Sequence, residues 1–291
     1  MPAELVRREL ISLGRGEDIA SVTPLTGGVI ADPWLITYRD GSRVVGKSLA
    51  GAAKDLFRAE AEGLAALAAT GTVRTPAVLA ATDDVLLLEA LVPLDDSPGY
   101  WQRLAHDLAG LHRGTVHDRF GWPSHGYLGR LPQHNAWTDD GHAFFAEHRL
   151  LRYLGEPLTQ QVLTSADRQA LERLCDRLPE LIPAMPPVLT HGDLWSGNLL
   201  TAHDGQPAVI DPAVSYTWAE VDLAMMWCGH RPPGSGHFFD AYQELNPSPP
   251  GWLERMPILF LRELMSGLAH GGDVRGISDA VRTILAPFRT R

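Results

Sequence analysis

The sequence predicts an α+β fold, with a small antiparallel sheet in the first third of the chain and mainly helices after it. Two strand-like segments, residues 34–38 and 43–48, are joined by Asp40-Gly41, a dipeptide typical of hairpin turns. A third strand-like segment is the apolar run at residues 85–93, which ends in a proline. Beyond this run, apolar residues recur mostly at helical spacing, so further helices are predicted there.

One helix is predicted between the strands of the sheet. Its apolar residues recur at helical spacing, at positions Phe57, Ala61, Leu64, Ala65 and Ala68. Glu60 lies on the edge of this apolar stripe, whereas Glu62 projects further from it. Glu60 is therefore the better candidate to turn inward and pair with Lys47, at the end of a valine-rich strand. The alternative is that these side chains are solvated, as charged residues usually are.

Residues 41–48 also match the G-x-x-x-x-G-K-[ST] pattern of a P-loop, which wraps phosphates in backbone N–H groups. The adjacent β-branched Val44 and Val45 favour an extended strand over such a curl. The hairpin signal at Asp40-Gly41 implies antiparallel strands, whereas a P-loop fold needs parallel strand–helix units. We therefore interpret the match as chance, although Lys47 would contact a phosphate group in either interpretation.

Length and composition narrow the function classes. A chain of 291 residues can hold one large or two modest domains, and its formal net charge of −10 argues against general nucleic-acid binding and mildly favours a cationic substrate. No apolar run is long enough to span a membrane, and Cys175 and Cys228 are expected to be free thiols. We expect a cytoplasmic monomer or weak dimer without nucleic-acid or membrane partners.

The most informative stretch is residues 189–200, followed by residues 209–212. Two apolar pieces bracket a polar loop that holds Asp193 and Asn198, and a short hairpin then delivers Asp211. A phosphoryl group in transfer carries charge on several oxygens, so oxygen ligands must hold hard cations against it, and a carboxylate must reach the attacking hydroxyl. A plain turn would explain a polar loop here, but it would not explain these three residues at these offsets.

Residues 190–198, which read Thr-His-Gly-Asp-Leu-Trp-Ser-Gly-Asn, resemble the signature of the fructosamine kinase family, also called ketosamine kinases. These enzymes are relatives of the aminoglycoside phosphotransferases and have a kinase-like fold. The Trp195-Ser196 pair separates the signature from that of the aminoglycoside enzymes. The resemblance extends from Gly27-Gly28 to the region around residue 222, although Thr217-Trp218-Ala219 departs from the glycine-containing form expected there.

The resemblance implies a two-lobed, protein-kinase-like fold, with an N-terminal nucleotide-binding lobe at residues 1–92 and a C-terminal catalytic and substrate-binding lobe at residues 93–291. ATP would bind between the lobes together with Mg²⁺. Lys47, positioned by Glu60, would hold the ATP phosphates.

The resemblance also implies where the rest of the nucleotide would lie. Gly27 and Gly28 stand where a phosphate-covering loop is expected. The segment that joins the lobes would meet the adenine with its backbone, which assigns Glu89 and Leu91 to the nucleotide site.

By the same resemblance, the acceptor is a sugar hydroxyl of a ketosamine, either ribulosamine or fructosamine, free or on a lysine of a glycated protein, and its phosphorylation would lead to deglycation. Asp193 would accept or orient the hydroxyl proton, and Asn198 and Asp211 would hold magnesium. Trp195 would either stack on the substrate or simply pack. Two alternatives stay open, namely an aminoglycoside or amino-alcohol phosphotransferase and a catalytically inactive nucleotide-binding module.

Three further expectations concern the helical region. Asp222 could support the loop that holds Asp193 and Asn198, which we call the catalytic loop. An aspartate at a helix start also interacts favourably with the helix dipole, and we favour that structural role. The run at residues 214–226 is predicted to start this helix, and His112 is interpreted as structural or solvated. Two C-terminal helices, around residues 253–270 and 278–288, are expected to supply core and a substrate wall.

Overall fold

A five-stranded antiparallel sheet forms the first part of the protein in the computed structural model, which describes residues 2–25, 32–49, 51 and 53–289. In the order β1-β2-β3-β5-β4, it contains strands β1 (Ile19–Pro24), β2 (Asp32–Tyr38), β3 (Arg43–Ser48), β4 (Val78–Ala81) and β5 (Val85–Glu89). Helices α1 (Pro2–Ser12) and α2 (Leu56–Ala69) pack against its two faces.

Strand β5 is buried on both faces because alternate side chains point to opposite sides of a strand. Val85 and Leu87 pack with the residues of α1, and Leu86 and Leu88 pack with those of α2. This arrangement explains why the sequence shows a continuous apolar run here rather than an alternating pattern.

The predicted hairpin is confirmed, since β2 and β3 are antiparallel neighbours and Gly41 adopts a φ of 85° in the turn between them. Asp40 closes the turn by accepting hydrogen bonds from the backbone and hydroxyl of Ser42. Gly46, Lys47 and Ser48 pair with β2 on one side and β5 on the other, so this segment cannot curl into a P-loop.

The rest of the chain is mainly helical, which confirms the predicted α+β class. Its helices are α3 (Pro98–Gly114), α4 (Gly141–Phe145), α5 (Pro157–Val162), α6 (Ser165–Asp176), α7 (Leu178–Leu181), α8 (Glu220–Cys228), α9 (Gly236–Leu245), α10 (Trp252–Gly271) and α11 (Ile277–Leu285). Three antiparallel strand pairs lie between them, namely β6 (Gly126–Leu128) with β7 (Leu131–Gln133), β8 (Val188–Thr190) with β11 (Ser215–Thr217), and β9 (Leu199–Thr201) with β10 (Pro207–Val209).

The unusual Thr217-Trp218-Ala219 segment belongs to the core. Trp218 is 1% exposed, and its ring lies 5.7 Å from that of Phe120 and 5.6 Å from that of Phe145, measured between centroids. The prediction that residues 214–226 start a helix is wrong at its beginning, because Ser215–Thr217 pairs with β8 and the helix begins only at Glu220. An indole at position 218 therefore fills the space beneath β11.

Both cysteines are free thiols, as expected, and Cys175 is buried in the core of the helical region. Among the described residues, no helix is both long and apolar enough to cross a membrane.

A buried ion pair ties α8 to α10. The guanidinium of Arg255 donates to both carboxylate oxygens of Glu220, and the two residues are 5% and 2% exposed. We expect Arg255→Ala to lower the free energy of unfolding by about 3–5 kcal/mol, because it leaves a buried carboxylate without its partner. Urea-induced unfolding followed by circular dichroism would measure the loss.

The matched control is Arg58→Ala, which removes an arginine from an exposed ion pair with Asp83 at 2.9 Å. We expect this change to cost less than about 1 kcal/mol. Equal losses for the two variants would show that burial of the Arg255 pair does not matter.

Candidate active site

A tight loop follows β8 and carries Asp193. Gly192, one residue earlier, has a φ of 78°, and a Cβ at this position would overlap the carbonyl oxygen of Ala213. Only glycine allows both the left-handed backbone and this close approach. The backbone N–H of Ala213 donates to the carbonyl of His191 at 2.9 Å, so the loop is held against the chain that follows Asp211.

His191 links the two acidic segments of the site. It is fully buried, its Nε2 donates to the Ile210 carbonyl at 2.9 Å, and its Nδ1 accepts from the Asp193 N–H at 3.2 Å. Burial lowers the pKa of this imidazole, which keeps it neutral and compatible with one donor and one acceptor nitrogen. Through this one ring, the residue before Asp211 is joined to the backbone of Asp193.

Asp222 supports the catalytic loop by accepting hydrogen bonds from its backbone. Its two carboxylate oxygens accept the backbone N–H groups of His191 and Gly192, each at 2.8 Å, and the Nε2 of His112 at 3.2 Å. Burial opposes its charge, but the hydrogen bonds from His112 and the loop outweigh burial and lower its pKa. The prediction that Asp222 mainly serves the helix dipole is therefore wrong, because its side chain is buried against the loop.

His112 is structural, as predicted. It is 1% exposed, and its Nδ1 accepts from the hydroxyl of Tyr242 at 2.7 Å. A chain of hydrogen bonds therefore runs from α9 through α3 to α8 and ends at the catalytic loop.

Asn198 lies against Asp193. Its amide nitrogen donates to the Asp193 carbonyl at 2.8 Å and to Asp193 Oδ2 at 3.0 Å. Because the nitrogen is used in this way, the amide oxygen Oδ1 is the atom left for a ligand.

Lys47 and Glu60 meet as predicted, with Nζ 2.6 Å from Glu60 Oε1, and Lys47 also contacts the carboxylate of Asp211. Burial alone would lower the pKa of Lys47, but the carboxylates of Asp211 and Glu60 outweigh it and raise that pKa. One ammonium is thus paired with two carboxylates. Burial, together with the neighbouring Asp211, raises the pKa of Glu60 to about 7.

Asp211 lies in a strained conformation, with a φ of 57°. Such a backbone in a non-glycine residue is uncommon and clusters at functional sites. Immediately after it, Pro212 approaches α2 so closely that a Cβ on Gly63 would lie 3.1 Å from the proline ring. Helix α2 therefore contacts the chain next to Asp211 directly, through a glycine.

A cavity of about 870 Å³ lies between the sheet and the helical region. It is lined by Lys47, Glu60, Glu89, Leu91, Asp193, Trp195, Asn198 and Asp211, which are all but two of the residues assigned to the site from sequence. The remaining two, Gly27 and Gly28, lie outside the described residues.

Glu89 and Leu91 occupy the cavity in different ways. The carboxylate of Glu89 is bound by Arg74 at 2.7 and 2.6 Å, so its side chain is already engaged. In the described part of the chain, no protein group hydrogen-bonds to the peptide groups of Leu91, while the neighbouring Val92 pairs with Thr201 of β9. Leu91 thus lines the cavity with peptide groups that no described protein group binds.

Trp195 is half-buried, and its ring rests on Gly197, where a Cβ would overlap the indole. The absence of a side chain at Gly197 therefore leaves the space that the Trp195 ring occupies at the cavity wall.

Two site residues on α10, Arg262 and Glu263, were not anticipated individually. Arg262 is 2% exposed, donates to Gln133 Oε1 at 2.8 Å and contacts the carbonyl of Gly192. Burial, followed by the charge of Glu263, raises the pKa of Asp193 well above its ordinary value. Nothing in the sequence marked this pair, because α10 also carries Glu254 and Arg255; residues of this helix do line the cavity.

We expect Asp222→Asn to lower the free energy of unfolding by about 1–3 kcal/mol, because an amide offers one acceptor oxygen where two backbone N–H groups need one each. We also expect kcat to fall by about tenfold or more, since the loop that carries Asp193 loses a fixing bond. Urea unfolding and steady-state phosphotransfer would measure the two effects.

Asp240→Asn on the exposed face of α9 is the control and should change neither quantity. A stable Asp222→Asn variant with unchanged kcat would contradict the supporting role of Asp222.

Comparison with known proteins shows which family this chain resembles over most of its length. The model of the fructosamine kinase family matches residues 5–281. A probable ketoamine kinase of Synechocystis sp. is 36% identical over 222 residues, which is 72% of this chain and 72% of the relative. A chloroplastic protein-ribulosamine 3-kinase of Oryza sativa subsp. indica is 30% identical over 263 residues, which is 88% of this chain and 75% of the relative.

The fold is shared with a solved structure. A fructosamine-3-kinase candidate from Thermobifida fusca has a TM-score of 0.82 and 32% sequence identity, and the match covers 92% of this chain and 94% of that chain. The predicted two-lobed, protein-kinase-like fold is therefore confirmed. The chain belongs to the fructosamine kinase family and is a phosphotransferase that acts on a hydroxyl group.

Proposed function

We propose that this protein uses ATP and Mg²⁺ to phosphorylate a sugar hydroxyl of a ketosamine, either a ribulosamine or a fructosamine. The observation that carries the proposal is the convergence of Lys47, Asp193, Asn198 and Asp211 on one cavity, in a chain of this family. We place the boundary between the lobes at residues 92 and 93, where the chain leaves the sheet and pairs with β9.

Lys47 and Leu91 would hold the two ends of ATP. The ammonium of Lys47 has three donors and contacts two carboxylates, so one N–H is left for a phosphate oxygen. The unbound peptide groups of Leu91 would hydrogen-bond the adenine, and Glu89 lines the same cavity. Gly27 and Gly28 would cover the phosphates.

Asn198 and Asp211 fit a magnesium ion. Both can offer oxygen atoms, which hard cations prefer, and the amide of Asn198 is already turned so that its oxygen is available. Among the described residues, no group of three or more His, Cys, Asp or Glu side chains could hold a metal by itself. This agrees with an ion that takes its remaining ligands from phosphates and water. When bound, Mg²⁺ would neutralise charge on the phosphate oxygens.

Asp193 would orient the acceptor hydroxyl and receive its proton. Asn198 holds Oδ2, and the described residues leave Oδ1 without a hydrogen-bond partner, so Oδ1 is the atom that would face the hydroxyl. The hydroxyl oxygen would form its new bond to the terminal phosphorus while the bond from that phosphorus to ADP breaks. The catalytic gain comes mainly from positioning, because the loop is fixed by Asp222 and His191 before substrate binds.

Trp195 would form part of the acceptor site, with its half-buried indole against the sugar. The rice relative is named a protein-ribulosamine 3-kinase, which supports a ribulosamine acceptor, free or on a protein lysine. Phosphorylation of such an adduct would lead to its removal, so the proposed biological role is deglycation.

We expect ATP consumption in the presence of Mg²⁺ with ribuloselysine and fructoselysine, and little with kanamycin. Asp193→Asn should reduce turnover by about 100-fold or more, since general-base positions typically contribute 10²–10⁴-fold. It should leave ATP binding largely intact, because Asp193 does not contact Lys47. A coupled ADP assay and calorimetric titration with ATP would measure the two properties.

Each outcome of this panel has a distinct meaning. Turnover only on kanamycin would keep the fold and the catalytic residues but replace the ketosamine with an aminoglycoside. Wild-type turnover by Asp193→Asn would remove Asp193 from the proposed role.

A further inference from the structure

Helix α10 contributes one carboxylate to the part of the cavity near Asp193, where the acceptor hydroxyl would bind. Its cavity-lining residues recur at helical spacing and are Phe260, Glu263, Ser266, Gly267 and His270. Glu263 is the acidic member of this face, and its side chain is 16% exposed. Glu263 is therefore mostly buried but still lines the cavity.

The two oxygens of Glu263 differ in their surroundings. Oε1 accepts a hydrogen bond from Arg262 at 2.8 Å, and the same guanidinium is anchored on Gln133 and Gly192. Within the described part of the chain, no hydrogen bond reaches Oε2. The carboxylate is therefore held at one oxygen by a buried arginine and has its other oxygen available.

The charges lining the cavity do not balance at this end. Lys47 forms ion pairs with Glu60 and Asp211, and Arg74 forms an ion pair with Glu89. The guanidinium of Arg262 contacts Glu263 and the carbonyl of Gly192, the residue before Asp193, so one cation lies near two carboxyl groups. Burial, followed by repulsion from the charge of Glu263, raises the pKa of Asp193, and burial raises the pKa of Glu263. A cationic group between them would relieve this repulsion.

We propose that Glu263 is a specificity-determining residue, whose Oε2 accepts a hydrogen bond from the ammonium group of the ketosamine while the sugar hydroxyl lies at Asp193. The inference rests on the proposed function and names the residue that selects its cationic substrates. In a ketosamine, the protonated amine and the sugar hydroxyls are only a few bonds apart, so neighbouring carboxylates can bind both. A neutral sugar would lack this contact.

Glu263→Gln tests the inference, because it keeps the side-chain length and an oxygen for Arg262 but removes the charge. The acceptors are ribuloselysine and its ether analogue, in which an oxygen replaces the amine nitrogen. We expect the KM for ribuloselysine to rise about 10- to 100-fold, as for loss of a charged hydrogen bond. The KM for ATP and the kinetics with the ether analogue should change by less than about threefold, which is well below the change expected for loss of one charged hydrogen bond.

Glu254→Gln, on the exposed first turn of the same helix, is the matched control and should leave all these constants unchanged. An unchanged KM for ribuloselysine in Glu263→Gln would overturn the inference. Equal losses with both acceptors would also overturn it, because they would show that Glu263 only positions Arg262 and the loop.

The wild-type enzyme supplies an independent arm if Glu263→Gln fails to fold. We then expect ribuloselysine to exceed its ether analogue in kcat/KM by about tenfold or more, and equal values would overturn the inference. Wild-type protein that turns over no ketosamine at all would instead overturn the proposed function, and the inference would fall with it.

Discussion

The ammonium of Lys47 is the contact on which the site depends, because it joins three parts of the chain that are distant in sequence. It extends from the central strand β3, meets Glu60 on α2 and contacts Asp211, which follows a hairpin of the helical region. A buried ammonium is stable only beside opposite charge. The sheet, α2 and the metal-binding segment are therefore held in one arrangement before any nucleotide arrives.

A second buried network fixes the other half of the site. Tyr242, His112 and Asp222 form a hydrogen-bonded chain that ends on two backbone N–H groups of the catalytic loop. His191 then connects that loop to the segment carrying Asp211. Each buried donor has an acceptor, so the loop is rigid where Asp193 needs a fixed position. The strained backbone of Asp211 is retained because these neighbours over-determine it.

The sequence predicted those parts of the site that depend on short spacing or on the direction of a regular element. The interval between Asp193 and Asn198, and the inward turn of Glu60 from its helix, are of this kind. The supporting role of Asp222 and the place of Glu263 could not be predicted in the same way. Asp222 binds the backbone of His191 and Gly192, which are distant in sequence, and Glu263 lines a cavity that several separate elements build. Periodicity along one helix does not specify which loop or cavity it will meet. Trp218 was uninformative for a similar reason, since its ring neighbours Phe120 and Phe145 are distant from it in sequence.

Helix α2 touches the segment after Asp211 through Gly63, and this contact has a consequence for motion. With no side chain at position 63, the helix backbone rests almost directly on the ring of Pro212. Any widening of the cleft must separate these two surfaces and, with them, Glu60 from the vicinity of Asp211. A wider cleft would therefore change how the charge of Lys47 is shared between Glu60 and Asp211, so the width of the cleft and the electrostatics of the phosphate site are linked.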